Sequence, residues 1–176
     1  IRRDFRSLNF VTIDGSNAKD FDDAVYAEEL SDGFRLYVAI ADVSAYIAKD
    51  SQLDKEAFSR ATSVYFEKKV IPMLPELISN QLCSLRPKED KLVLTCERYL
   101  DNRGEIKDFE FLNSVICSKN RLTYDEVEKF YQKGQTTFSN EIVSNLRHLK
   151  KIHGLRRRIR EERKAIDFYL PEYRPV

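Results

Sequence analysis

Apolar residues near the N-terminus form two runs separated by a polar stretch. Residues 10–13 and residues 24–26 are largely apolar, which is typical of buried strands. A turn-forming Gly-Ser-Asn sequence follows the first run at residues 15–17. The polar stretch also contains a group of aspartates, which comprises Asp14, Asp20, Asp22 and Asp23. We therefore predict two strands at the edge of a core, with these carboxylates at their junction.

Two further pairs of apolar runs flank turn-forming residues, and each pair predicts a β-hairpin. The first hairpin joins residues 26–30 to residues 34–41, and the second joins residues 91–99 to residues 106–116. Residues 34–41 are nearly all apolar, which predicts a strand at the centre of the sheet.

Four helices are predicted from capping residues and from apolar periodicity. Thr123 and Glu126 form a capping box that defines the start of one helix. A longer helix opens at Ser139 and has apolar side chains every three or four residues. The two shorter helices are predicted at residues 53–61 and 76–82. The fold class is therefore α+β, with a mixed, largely antiparallel sheet of long hairpins packed with helices.

Lysines and arginines occupy the remaining faces of the longest predicted helix. Such a face is usually solvated, but beside an acidic site it is interpreted as a track for a phosphate backbone. Lys119 and Arg121, just ahead of the capping box, are candidates for phosphate contacts by the same reasoning. These basic residues balance the acidic N-terminal half, because the formal net charge of the chain is only +1.

Length and composition limit the class of protein. A chain of 176 residues is the size of one domain with a sizeable core. Cys83, Cys96 and Cys117 form neither an even disulfide set nor a CxxC pair, which favours buried thiols in a reducing compartment. No apolar run approaches the ~18 residues of a membrane span. We expect a soluble, cytoplasmic protein with no membrane partner.

The aspartate group has the composition of a metal site. Crowded carboxylates near a core repel one another and lose hydration, so they favour a compensating cation. Oxygen ligands without nearby Cys or His favour Mg²⁺ or Mn²⁺ over zinc. A calcium loop is excluded by spacing, because Ala18 or Val25 falls where such a loop requires a ligand or a glycine. At this point a solvated acidic turn remains the alternative.

Several long motifs resemble one known family. They are T-I-D-x5-D-F-D-D-A-V from Thr12, L-Y-V-A-I-A-D-V-S at residues 36–44 and S-V-Y-F-x4-I-P-M-L-P-E-x2-S-N-x-L-C-S-L at residues 63–85. The similarity continues through R-L-T-Y-D-E-V at residues 121–127 and A-I-D-F at residues 165–168. The chain thus resembles the catalytic (RNB) domain of the ribonuclease II/ribonuclease R family, most closely its bacterial ribonuclease R branch.

The resemblance implies a magnesium-dependent 3'-to-5' exoribonuclease that hydrolyses single-stranded RNA processively to nucleoside 5'-monophosphates. In such a site Asp14, Asp20, Asp22 and Asp23 match the metal-holding positions, and Asp22 also matches the catalytic position most directly tied to cleavage. Two Mg²⁺ ions are implied, with Mn²⁺ as a substitute.

Three aromatic residues match the family's RNA contacts. Tyr65 and Phe168 match a clamp on the last base, and Tyr124 matches a position that contacts RNA near the active site. The pattern alone leaves a second reading open for Tyr65, because a tyrosine in an apolar run is commonly a core residue. Stacking on such rings holds bases without sequence preference.

The family's catalytic domain is longer than this chain. We therefore expect residues 1–176 to be the N-terminal portion of an RNB catalytic domain, without the flanking cold-shock and S1-type domains. A glutamate and an arginine of the family's site lie in the later portion, so we expect the chain alone to be inactive. An RNA- or protein-binding module and a nuclease acting on DNA remain alternatives. An RNA helicase or another RNA-decay protein is an expected partner.

Overall fold

A mixed seven-stranded sheet forms the centre of the computed structural model, which describes residues 1–66, 69–134 and 136–167. The strand order is β1-β8-β7-β4-β3-β2-β9, and β5 and β6 form a separate two-stranded ribbon. The strands are β1 Arg3–Asp4, β2 Val11–Asp14, β3 Asp23–Leu30, β4 Gly33–Ala41, β5 Val64–Tyr65, β6 Val70–Ile71, β7 Asp90–Asp101, β8 Ile106–Cys117 and β9 Asn120–Thr123. With its flanking helices, the sheet confirms the predicted α+β class.

Both predicted hairpins are present and pair antiparallel, β3 with β4 and β7 with β8. Strand β4 also pairs with β7, so it lies at the centre of the sheet, as its apolar sequence predicted. The first turn requires glycine at position 33, because a β-carbon on Gly33 would overlap the carbonyl oxygen of Leu100 in β7. The two hairpins therefore pack edge to edge without a side chain between them.

Two short strands that the sequence pattern did not predict make the sheet mixed. Strand β9 pairs in parallel with β2, and Asp14 lies opposite Thr123. Strand β1 pairs in parallel with β8. The parallel β2–β9 pair brings the start of the capping-box helix beside the end of β2, where the first aspartate of the acidic group lies.

The part of the chain that the structure describes contains three α-helices: α1 Gln52–Arg60, α2 Tyr124–Lys133 and α3 Asn140–Glu162. Thr123 and Glu126 form the predicted capping box of α2. The helix predicted at residues 76–82 is only partly as expected, because Ile78–Leu82 winds as a π-helix in which the Cys83 amide donates to the Ile78 carbonyl at 2.9 Å. Among the helices of the described residues, none is long and apolar enough to cross a membrane.

Each face of the sheet has its own core. Helices α2 and α3 cover one face, where Val11, Leu122 and Leu146 are buried. The opposite face packs against the N-terminal segment and the region between β4 and β7, around Phe10 and Leu85. The three cysteines are free thiols; Cys83 and Cys96 are buried, as predicted, whereas Cys117 is only half-buried.

Helix α3 forms hydrogen bonds with the part of β3 that does not pair with β2. Strands β2 and β3 pair at Val11 and Val25, and the helix supplies the hydrogen bonds further along β3. The Asn145 side chain accepts from the Ala27 amide at 2.9 Å and donates to the Asn9 carbonyl at 3.0 Å. His148 Nδ1 lies 3.1 Å from the Ala27 carbonyl oxygen. A buried polar side chain on the helix therefore fixes its position on the sheet.

Candidate active site

The aspartates gather at one end of the sheet. Asp14 is the last residue of β2 and Asp23 is the first residue of β3. Residues 15–22 connect the two strands without regular secondary structure and carry Asp20 and Asp22; we call this segment the acidic loop. The arrangement agrees with the sequence prediction of two strands with the carboxylates at their junction.

The four carboxylates interact electrostatically. Burial, followed by the charge of Asp23, raises the pKa of Asp14, and the nearby guanidinium of Arg121 partly offsets this rise. Burial also raises the pKa of Asp22, with further contributions from the charges of Asp20 and Asp23. The ionised forms are therefore disfavoured in the fold, which is the condition that a bound cation relieves.

The donor chemistry of the group fits Mg²⁺ or Mn²⁺, although the side chains are spread apart. Among the described residues, one buried carboxylate oxygen, Asp14 Oδ2, has no hydrogen-bond partner, so its lone pairs are available to a cation. Within residues 1–66, 69–134 and 136–167, however, no three Asp, Glu, His or Cys side chains converge closely enough to hold a metal ion. Metal ligation by Asp14, Asp20, Asp22 and Asp23 stays a prediction.

Arg121 contacts the acidic loop from β9. Its terminal Nη2 donates to the carbonyl oxygens of Gly15 at 2.7 Å and Ser16 at 2.9 Å, and its guanidinium lies 5.5 Å from the centre of the Phe21 ring. Lys119 donates to the Arg6 carbonyl oxygen at 2.7 Å. Both cations proposed for phosphate contacts thus have backbone partners within the protein, and those of Arg121 lie in the acidic loop.

Ser84 contacts the same loop from the segment that follows the π-helix. Its hydroxyl accepts from the Phe21 amide at 3.0 Å and donates to the Lys19 carbonyl at 2.9 Å. The Leu85 amide donates to the Phe21 carbonyl at 2.8 Å. Sequence reasoning missed Ser84, whose only signal was its place as the one polar residue within the Leu-Cys-Ser-Leu sequence.

Tyr65 lies on the surface beside the acidic loop. Its relative exposure is 68%, so the reading of Tyr65 as a core residue is wrong. It lines a cavity of about 310 Å³ together with Asp20 and Asp22. An adjacent cavity of about 440 Å³ is lined by Tyr65, Asp20 and Asn80, among others. A ligand stacked on this ring would therefore lie next to two of the carboxylates.

The remaining candidates for RNA contacts are Tyr124 and Phe168. Tyr124 is 63% exposed and is the first residue of α2. It follows Thr123, the strand partner of Asp14, so it lies at the acidic end of the sheet. Phe168 lies outside the described residues. The structure thus brings Tyr65 and Tyr124 to the same end of the sheet as the aspartates.

The basic face of α3 is partly occupied by internal contacts. Arg156 donates to the Gly104 carbonyl at 3.1 Å, and Arg157 pairs with Glu161 at 3.0 Å. These contacts stabilise the helix and its junction with the β7–β8 turn. A role for this face in binding a phosphate backbone stays a prediction.

Asp22→Asn is expected to raise the melting temperature of the chain at pH 7 in the presence of a chelator. The folded state raises the pKa of Asp22, so ionised Asp22 lowers stability at every pH above that pKa. The penalty disappears as the pH falls below the ordinary aspartate value of 3.8, and the two melting curves should then converge. The measurement is thermal unfolding from pH 7 to pH 3.

Asp32→Asn is the matched control, because Asp32 is exposed in the β3–β4 turn at the opposite end of the sheet. It should leave the melting temperature nearly unchanged at each pH. A lower melting temperature for Asp22→Asn at pH 7 would show that a favourable partner of the carboxylate had been removed, and would contradict the electrostatic description.

The chain matches one described domain family over nearly its whole length. The pattern that defines the RNB domain matches residues 2–176. The chain therefore belongs to the RNB-domain family. It is 49% identical over 170 residues to ribonuclease R of Acidithiobacillus ferrooxidans. The aligned region covers 95% of this chain and 38% of that relative.

Solved structures give the same result. The structure of Mycoplasma genitalium RNase R in complex with double-stranded RNA superposes with a TM-score of 0.92 at 39% identity, covering 94% of this chain and 30% of the other. The same protein in complex with ribose methylated single-stranded RNA gives a TM-score of 0.91, covering 94% and 26%. The chain thus spans well under half the length of each of these relatives.

Proposed function

We propose that this chain supplies the acidic part of the active site of a magnesium-dependent 3'-to-5' exoribonuclease. In a longer polypeptide it would hydrolyse single-stranded RNA processively to nucleoside 5'-monophosphates. The observation that carries the proposal is the cavity where Asp20 and Asp22 meet the exposed ring of Tyr65. Membership of the RNB family and RNase R relatives bound to RNA support the substrate class.

The aspartates would hold the metal and orient the scissile phosphate. Asp14, Asp20 and Asp23 are assigned as metal ligands, and Asp22 as a ligand that also acts in cleavage. Bound Mg²⁺ would activate water and neutralise charge on the phosphoryl oxygens. Asp14 Oδ2 is buried and has no hydrogen-bond partner among the described residues, so no protein hydrogen bond would compete with such a role.

The aromatic side chains would hold the RNA. Tyr65 would stack on the terminal base, and Tyr124 would contact the RNA near Asp14. Stacking contributes on the order of 1–3 kcal/mol per base and tolerates any sequence, as a degradative exonuclease requires. The proposed setting is the cytoplasm, with an RNA helicase or another RNA-decay protein as a partner.

The proposed function is tested with a 5'-labelled single-stranded RNA and a DNA of the same sequence. Incubation in Mg²⁺ should give a ladder of 3'-shortened RNA products from the longer polypeptide, and chelator should abolish it. We expect this chain alone to give little product. Shortening of the DNA at an equal rate would favour the general nuclease, and metal-independent products would contradict the mechanism.

A second candidate function is an RNA-binding module without its own catalysis. The spread of the carboxylates favours it, because no three acidic, His or Cys side chains among the described residues converge on one metal position. Titration of the chain with Mn²⁺ distinguishes the two candidates. A saturable site that is lost in Asp14→Asn supports the nuclease, whereas RNA binding without such a site supports the module.

Tyr65→Ala is expected to change the length of the final undegraded fragment produced by the longer polypeptide. Loss of one stacked base weakens the hold on short RNA about tenfold or more, so digestion should stop at a different length. The measurement is gel separation of the end products. Phe58→Ala, which removes an exposed aromatic ring of α1, is the control, and identical end products for Tyr65→Ala and wild type would contradict the clamp.

A further inference from the structure

The acidic loop depends on other elements for its shape. Residues 15–22 form neither strand nor helix, and one hydrogen bond within the segment joins the Ala18 amide to the Gly15 carbonyl at 3.1 Å. A loop with so little internal bonding opens locally at low free energy unless it is tied to the core. Its carboxylates also repel one another, which favours further opening. The contacts from outside the loop therefore decide where Asp20 and Asp22 lie.

The first contact from outside the loop is made by Ser84, on either side of Asp20. Ser84 is fully buried, and its hydroxyl binds the two backbone groups that flank Asp20, the Lys19 carbonyl and the Phe21 amide. A single hydroxyl that uses both its donor and its acceptor in this way fixes the peptide planes on either side of the aspartate. The Asp20 side chain is thereby left to project towards the cavity that it shares with Tyr65.

The second outside contact lies at the start of the loop. Arg121 donates to the carbonyl oxygens of Gly15 and Ser16 and lies over the ring of Phe21, so it joins the two ends of the loop. The two Nη2 hydrogen bonds hold the guanidinium against the loop. Ser84 and Arg121 come from different parts of the chain, and their side chains add to the backbone hydrogen bonds that the Leu85 and Ala41 amides donate to the end of the loop.

We propose that Ser84 and Arg121 are positioning residues that fix the backbone of the acidic loop and so keep Asp20 and Asp22 beside the cavity where metal binding is proposed. Neither residue touches the RNA or the metal in this assignment. The inference rests on the proposed function for its consequence in catalysis. The loop restraint itself is a property of the fold and can be measured without activity.

The test compares Ser84→Ala and Arg121→Gln with Ser114→Ala. Ser114 is a matched control because it is equally buried and makes two hydrogen bonds, to the Thr95 hydroxyl and the Leu112 carbonyl, away from the acidic loop. Amide exchange of residues 15–22 is followed by mass spectrometry in the longer polypeptide. Loss of one such hydrogen bond should speed exchange across the loop by about fivefold or more in the two loop variants, and leave it unchanged in Ser114→Ala.

The second readout is the Mg²⁺ concentration that gives half-maximal hydrolysis. It should rise by about fivefold in Ser84→Ala and Arg121→Gln, while the KM for RNA stays constant, since only the ligand geometry is loosened. A purely structural role would lower activity without moving the Mg²⁺ midpoint. The control should match wild type in both readouts.

The outcomes separate the inference from the proposed function. Faster exchange confined to the acidic loop, with no hydrolysis in any form of the protein, would support the restraint and overturn the nuclease assignment. Unchanged exchange in the loop, with normal hydrolysis, would overturn the positioning role. Faster exchange with an unchanged Mg²⁺ midpoint would also overturn it, because the restraint would then not serve the metal.

Discussion

Asp22→Asn in the longer polypeptide is expected to lower kcat for RNA hydrolysis by about a thousandfold, with RNA affinity retained. Preorganised charge at the reacting phosphate is usually the largest catalytic contribution, and removing a single such group costs about two to three orders of magnitude. Asparagine keeps the size of aspartate but carries no charge. The binding of RNA through Tyr65 and Tyr124 should not depend on the charge of Asp22.

The measurement is single-turnover hydrolysis of a labelled RNA, together with a binding titration in chelator. The stability experiment described above supplies an internal check, since the same substitution should raise the melting temperature and so cannot act by unfolding. Asp32→Asn should retain full activity. Near-normal turnover by Asp22→Asn would remove this residue from the active site and leave the catalytic position to its neighbours.

Asn145→Leu is expected to lower the free energy of unfolding by about 3 kcal/mol, because it leaves two buried backbone groups without a hydrogen-bond partner. The Ala27 amide and the Asn9 carbonyl both bind the Asn145 side chain. Leucine has a similar volume but offers neither donor nor acceptor. It would therefore leave these groups without water or protein partners, although it extends the apolar stripe of α3.

Chemical denaturation of this chain measures the effect. Asn140→Leu is the matched control, because Asn140 is the exposed first residue of the same helix and the substitution is identical. It should change the unfolding free energy by less than about 0.5 kcal/mol. An equally small effect of Asn145→Leu would mean that its hydrogen bonds are replaced by solvent.

Local signals were sufficient for most of the secondary structure. The β3–β4 and β7–β8 hairpins follow from alternating apolar residues around turns, and α2 begins where the Thr123–Glu126 capping box placed it. These features depend on neighbours within a few residues, so a sequence window contains all the information. The position of the aspartates between two strands followed from the same reasoning.

Features that depend on distant residues were not predictable. Strand β9 has four residues and exists because it pairs with β2. Asn145 and Ser84 are polar residues on apolar surfaces, and only the three-dimensional structure shows which backbone groups they bind. The π-helical turn at Ile78–Leu82 likewise lacks a local signal. Physical reasoning from sequence therefore named the candidate site residues but missed the buried polar side chains that bind the backbone around them and under α3.

The parallel pairing of β2 with β9 also bears on how the chain folds. Arg121 and Gly15 are separated by 106 residues, so their contact closes a very long loop, and we expect it to form after the hairpins between them. During synthesis, the acidic loop stays unrestrained at its start until Arg121 has left the ribosome. The proposed RNA-cleaving centre is thus completed late, after most of the sheet that supports it has formed.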